Sequence, residues 1–174
     1  MKKRFFLVIV LLAGFFASQY IDTPTKTPST PQQPTTELYP VVHIVDGDTI
    51  IVSKNGVEEK VRLLGIDSPE VDISRGPAEC FGKEATEKTT SLLSGQSVSL
   101  ESDPTQAERD TYNRLLAYVS LTDGTLINKI LVEGGYAKEY TFDEAYTYQA
   151  DFEAAEKSAQ TQKRGLWSTD NCPK

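Results

Sequence analysis

The sequence predicts an α+β fold, a five-stranded β-barrel of the oligonucleotide/oligosaccharide-binding (OB) type with about three helices packed outside it. Three observations lead there. β-Branched runs alternate with Asp-Gly and Asn-Gly turns early in the chain, two more strand-like segments follow, and helical segments fall between and after them. No internal repeat is visible.

Residues 41–45 and 49–52 are β-branched runs separated by Asp46-Gly47-Asp48, which reads as a hairpin. Asn55-Gly56 makes a second tight turn, and residues 57–66 form the third strand. Residues 81–94 are helical in composition, with Phe81, Ala85, Leu92 and Leu93 on one face and Gly95 as C-terminal cap. Residues 96–101 alternate Val98 and Leu100 with serines, giving a fourth strand. The fifth, 114–121, ends at the Asp123-Gly124 turn, and a short helix over 126–132 stops at Gly134-Gly135. The last helix is expected over 143–163, with Tyr148, Phe152, Ala155 and Ala159 as its apolar stripe. Lys163 and Arg164 fall in its last turn, Gly165 closes it, and Leu166 and Trp167 fold back on the core.

Before this domain, assigned to 39–174, come two appendages. Lys2-Lys3-Arg4 and the uncharged run that follows make 1–21 a signal peptide or a retained membrane anchor. Residues 22–38 carry four prolines among threonines and read as a linker, either a spacer or an unstructured remnant of export. The expected location is therefore extracellular, with membrane contact through the N-terminal segment only.

The net charge is −7, and removing Lys2, Lys3 and Arg4 takes it to −10. A protein that coats nucleic acid through bulk charge would be basic, so any nucleic-acid chemistry must be local. Cys80 and Cys172 suit an oxidising compartment, as a disulfide or as two thiols. With one histidine, they fall short of a structural zinc set.

The chemistry concentrates in two stretches, Asp46-Gly47-Asp48-Thr49 and Arg62-Leu-Leu-Gly-Ile-Asp67-Ser68-Pro69-Glu70, with Arg114 further on. Asp48 and Asp67, with the Ser68 carbonyl oriented by Pro69, suit a hard cation such as Ca²⁺. Two guanidiniums, Arg62 and Arg114, suit a phosphate gripped from two sides. Glu70, three residues from Asp67, can accept a proton from an attacking water or orient it. Each piece has a plainer reading. Asp46 and Asp48 are ordinary turn residues, Arg114 a solvated arginine, and His43 a surface histidine. Arg62, expected on the same buried side as Leu64 and Ile66, could be a structural ion pair with a glutamate.

Asp-Gly-Asp-Thr, then Arg-Leu-Leu-Gly-Ile-Asp-Ser-Pro-Glu, then Asp110-Thr111-Tyr112-Asn113-Arg114, in order and at matching separations, resemble the staphylococcal nuclease (thermonuclease) family over about residues 39–167. The resemblance implies a Ca²⁺-dependent nuclease that cleaves DNA and RNA to 3′-phosphate ends. It implies Asp48, Asp67 and the Ser68 carbonyl as metal ligands, and Arg62 and Arg114 on the scissile phosphate. Glu70 is then the water-activating carboxylate and Tyr112 a phosphate contact. Tyr140, with Phe142 nearby, could stack a base. Thr111 stands where the type enzyme has a lysine and Asn113 where it has a glycine. Residues 139–143 lack the full tyrosine pattern, and the 71–79 segment and cysteine pair look like additions. A monomer is expected. The competing expectations are a nucleic-acid- or protein-binding module that has lost catalysis, and a Ca²⁺-dependent structural domain.

Overall fold

The computed structural model describes residues 37–71, 77–142 and 144–172. The expected export segment, the linker up to residue 36 and most of the 71–79 addition lie outside the described residues. No helix among the described residues is long and apolar enough to cross a membrane.

Five strands close the expected barrel: β1 (Tyr39–Ile44), β2 (Thr49–Lys54), β3 (Val57–Leu63), β5 (Ser97–Glu101) and β6 (Leu115–Leu121), in the order β1-β2-β3-β6-β5. β3 and β6 run parallel, setting Arg62 beside Leu116, and the other neighbours are antiparallel. Closure pairs each barrel strand on both sides. Two short strands, β4 (Ile66–Asp67) and β7 (Lys138–Glu139), pair outside the barrel. Three helices pack around it: α1 (Gly82–Leu93), α2 (Ile127–Glu133) and α3 (Gln149–Thr161).

The period-two pattern of the strands fills the barrel. Ile50, Val52, Val61, Leu63, Val98, Ala117 and Val119 are buried there, while Ile127, Leu131, Phe152 and Ala159 come from the helices. Tyr118 meets the edge of Tyr148 at 4.7 Å between ring centroids and lies near Phe152.

Three expectations are corrected. The third strand ends at Leu63 rather than at residue 66, because the chain turns at Gly65 (φ +77°), and Asp67 belongs to β4. The Gly65 carbonyl accepts the Tyr140 N–H at 3.0 Å and the Tyr146 hydroxyl at 3.1 Å, which holds the departure in place. α3 begins at Gln149, not at residue 143. The preceding chain is held in a non-helical path, with Thr147 N–H donating to Asp103 at 2.7 Å. At its other end α3 stops at Thr161, so Lys163 and Arg164 lie outside its last turn and Lys163 takes the left-handed conformation (φ +52°). As expected, Leu166 and Trp167 fold back and are half-buried in a 3₁₀ turn, with Leu166 N–H on the Gly135 carbonyl.

Cys80 and Cys172 are disulfide-bonded, with 5.8 Å between Cα atoms, and so tie the chain end to the entrance of α1. The bond closes a 92-residue separation, for which chain entropy gives roughly 4–5 kcal/mol. Reduction is expected to lower the melting temperature by on the order of 10 °C. Circular dichroism melts with and without reductant check this, and superimposable curves would refute it.

Candidate active site

The β1–β2 turn sets the first carboxylates. Asp46 Oδ1 accepts the Asp48 N–H at 3.0 Å, so the side chain closes the turn that its residue type favours. α1 covers the turn: Thr89 donates its hydroxyl to the Gly47 carbonyl at 2.7 Å. A Cβ at Gly47 would sit 2.6 Å from Ser68 Oγ and 2.9 Å from Ala85 Cβ, so only glycine fits between helix and site. Gly47→Ala is expected to destabilise the domain by about 2 kcal/mol through overpacking. It should lower activity more than stability loss accounts for, because the clash displaces Ser68. Urea titration and turnover measured together check this, and an unperturbed pair of values would contradict it.

Asp48, only 5% exposed, is the centre of the group. Its Oδ2 accepts the Ser68 N–H at 2.6 Å, and its Oδ1 accepts the Thr49 hydroxyl at 3.1 Å and lies 3.1 Å from Arg62 Nε. Burying a carboxylate this deeply is costly unless it is paired and hydrogen-bonded, as it is here.

Arg62 lies on β3 between Val61 and Leu63, whose side chains enter the barrel core, so the pleat sends Arg62 to the outer face. Its side chain is only 12% exposed, as the burial expectation required, but β3 ends at Leu63, so no continuous pleat extends its face to Leu64 and Ile66. It is covered instead by its own partners. Nη1 donates to the Leu63 and Ile66 carbonyls at 2.8 and 2.6 Å, and Nη2 to Asp67 Oδ1 at 3.0 Å. Its ion-pair partners are two aspartates rather than the glutamate that sequence alone suggested.

Asp67 is 52% exposed on its side chain. Burial and the Asp48 charge raise its carboxyl above the usual range, against the pull of Arg62. Asp46 is pushed up to about 6 by burial and by Asp48, with Glu70 adding to the effect and hydrogen bonds opposing it. Asp46, Asp48, Asp67 and Glu70 therefore share one electrostatic neighbourhood. Glu70 itself is half-buried, with its N–H on Glu79 Oε2 at 3.2 Å and its carbonyl accepting Glu79 N–H at 2.8 Å.

Arg114 arrives from the other side. Asp110 organises its turn, accepting the N–H groups of Tyr112 and Arg114 on Oδ1 (2.9 Å each) and Arg114 Nε on Oδ2 at 2.6 Å. Asn113 adopts φ +64°, the left-handed conformation that asparagine tolerates best after glycine. Arg114 Nη1 reaches Thr49 Oγ1 at 3.4 Å, and its guanidinium carbon stands 5.5 Å from the Tyr112 ring centroid. One hydroxyl, that of Thr49, thus links Arg114 to Asp48 and through it to Arg62.

The structure brings Asp48, Arg62, Asp67, Ser68 and Arg114 into one bonded group, with Tyr112 against Arg114. Tyr112 is 78% exposed. Tyr140 stands beyond β7, exposed with Phe142, their rings 6.3 Å apart. His43 is exposed as expected. Thr49 and Asp110, which connect the two arginines to the rest, were not singled out by sequence reasoning. Their signal was their place inside the two motifs.

Asp46, Asp48, Asp67 and the Ser68 carbonyl are hard oxygen donors of the kind that suits a divalent cation. The raised carboxyls of Asp46 and Asp67 mark negative charge that a cation would relieve. Among the described residues, however, no three or more His, Cys, Asp or Glu side chains are arranged to hold a metal ion.

A family described as Staphylococcal nuclease homologue matches residues 60–169. The chain belongs to that family. It is 39% identical over 132 residues to the thermonuclease of Staphylococcus hyicus, covering 76% of each chain. It is 36% identical over 163 residues to the thermonuclease of Staphylococcus intermedius, covering 92% of this chain and 94% of the relative. Endonuclease YncB of Bacillus subtilis is 31% identical over 155 residues, covering 87% of this chain and 72% of the relative. The closed five-stranded barrel with three helices is consistent with the fold of a staphylococcal nuclease homologue.

Proposed function

We propose that this staphylococcal nuclease homologue is an exported, Ca²⁺-dependent endonuclease that hydrolyses phosphodiester bonds of DNA and RNA, leaving 3′-phosphate ends. The observation that carries this reading is the Asp48 carboxylate, which ties Arg62 directly and Arg114 through Thr49 into one cluster beside Asp67 and Ser68. The relatives named thermonuclease and endonuclease support the same chemistry.

In this reading Asp48, Asp67 and the Ser68 carbonyl hold the cation, which when bound offsets phosphate charge and polarises the phosphorus–oxygen bonds. Arg62 and Arg114 bind phosphate oxygens and stabilise the charge that builds as a hydroxide adds to phosphorus and the P–O5′ bond breaks, releasing a 5′-hydroxyl, protonated in water, and leaving the 3′-phosphate. The Nη2 contact of Arg62 with half-exposed Asp67 is the one a phosphate oxygen would replace. Glu70 takes or orients the proton of the attacking water. Tyr112 contacts phosphate beside Arg114, and Tyr140 offers a face for a base. The acidic remainder of the surface keeps non-specific binding weak, so affinity rests on the site. Residues 1–21 are assigned as export signal or anchor and 22–38 as linker, carrying a monomeric domain over 39–174.

A second reading, a catalytically weak nucleic-acid- or protein-binding module, is favoured by one observation. Every donor nitrogen of Arg62 already has a partner within the chain. The domain from residue 37, incubated with single- and double-stranded DNA and RNA under Ca²⁺, Mg²⁺ or chelator, decides between them. Ca²⁺-dependent cleavage to 3′-phosphate ends establishes the nuclease; binding without cleavage establishes the module.

A further inference from the structure

We propose that the Arg109–Glu59 ion pair is a positioning clamp that holds the Arg114 turn in register with Arg62, a role that rests on the nuclease reading above. Arg109 Nη1 and Nη2 grip Glu59 Oε1 and Oε2 at 2.7 and 2.8 Å, a two-pronged guanidinium–carboxylate contact. The same Nη1 donates to the Asn113 carbonyl at 3.0 Å. One side chain therefore bonds both to the turn that ends in Arg114 and to β3, the strand that carries Arg62 three positions after Glu59.

The clamp supplies what the other contacts of the turn do not. Asp110 fixes the Arg114 guanidinium relative to its own turn, and every bond it makes lies within residues 110–114. Thr111, Tyr112 and Asn113 are exposed, with no core packing to seat them. Backbone pairing attaches the turn at its base, through Leu116 N–H on the Glu108 carbonyl and the Arg109–Leu115 bridge. Above that base the 3.4 Å Arg114–Thr49 contact is long, and the Arg109 fork is the short, directional tie from the turn to the barrel. The Glu59 carboxyl is held below its usual range first by the hydrogen bonds from Arg109, in keeping with a formed pair.

The two side chains are 33% and 22% exposed, so the pair contributes little to global stability. Its value lies in placement, since small displacements of a charge-stabilising group cost rate steeply. A merely structural pair would behave differently, and a double-mutant cycle separates the two.

Glu59→Ala changes no residue of the turn itself. It is expected to lower kcat roughly 10-fold on a nitrophenyl phosphodiester, with KM changed less than about 2-fold. In an Arg114→Ala background the same change should produce no further loss. An equal fold-loss in both backgrounds, or no loss in the wild type, would overturn the clamp. Amide hydrogen exchange at 111–114 should speed up in Glu59→Ala and, to a lesser degree, in Arg109→Lys, which keeps the charge but not the fork. Unchanged exchange would also overturn it. That second readout needs no turnover, so an inactive wild-type protein would count against the nuclease reading while exchange still decides the clamp.

Discussion

Replacing Glu70 with glutamine is expected to lower kcat roughly 10²–10⁴-fold, the range that a positioned general base supplies, with the melting temperature almost unchanged. The change is nearly isosteric, and the backbone bonds of Glu70 to Glu79 do not depend on its side-chain charge. What disappears is a carboxylate two residues beyond Ser68 whose charge is felt at Asp46. Wild-type turnover in the variant would take the proton-accepting role away from Glu70. A parallel loss of activity and of folded protein would show that it serves the fold instead.

Among single substitutions, the largest effect on stability is expected at Asp103. This buried carboxylate accepts Thr105 N–H and hydroxyl on Oδ1 at 2.8 and 2.7 Å, and Tyr118 hydroxyl and Thr147 N–H on Oδ2 at 2.6 and 2.7 Å. It joins the loop after β5 to β6 and to the entry of α3. Burial alone would raise its carboxyl, but these four hydrogen bonds outweigh that and hold it well below the usual carboxylate range. Asp103→Asn turns one acceptor into a donor facing two donors and is expected to cost about 3 kcal/mol. Because the folded-state value is depressed, the contribution is complete above about pH 4, where the unfolded chain is also ionised. It is lost as pH falls from there toward the folded value, so the gap between wild type and variant should narrow in acid. Urea unfolding from pH 7 to pH 3 measures both. A gap that is constant with pH would assign the loss to packing rather than charge.

Much of the fold was legible because its signals are local. Asp-Gly and Asn-Gly mark the two hairpin turns, and the alternation in β5 and the stripe of Phe152, Ala155 and Ala159 each lie within one element. The motifs of the candidate site were legible for the same reason, since each is one continuous stretch, residues 46–49 around the β1–β2 turn and residues 62–70 running from the end of β3 through β4. What sequence reading missed depends on partners far along the chain. The start of α3 is set by Thr147 bonding to a residue 44 positions earlier, which no periodicity encodes. The surroundings of Arg62 follow from the departure at Gly65, held by Tyr140 and Tyr146 from a distant loop. The Arg109–Glu59 pair spans 50 positions between two residue types that are ordinarily solvated.

The Cys80–Cys172 bond divides the domain unevenly along the chain. Everything from Cys80 to Cys172, including α1, α2 and α3, lies in one covalent ring, while Asp48, Arg62, Asp67, Ser68 and Glu70 hang from it as an open N-terminal arm. A protease that cuts the exposed 111–113 turn opens the ring without releasing a fragment. The nicked protein would run as one species on a non-reducing gel and as two after reduction. A cut before Cys80 would separate the arm, with most of the site, under either condition. Under the export proposed above, proteolytic damage to the ring is retained and damage to the arm is not.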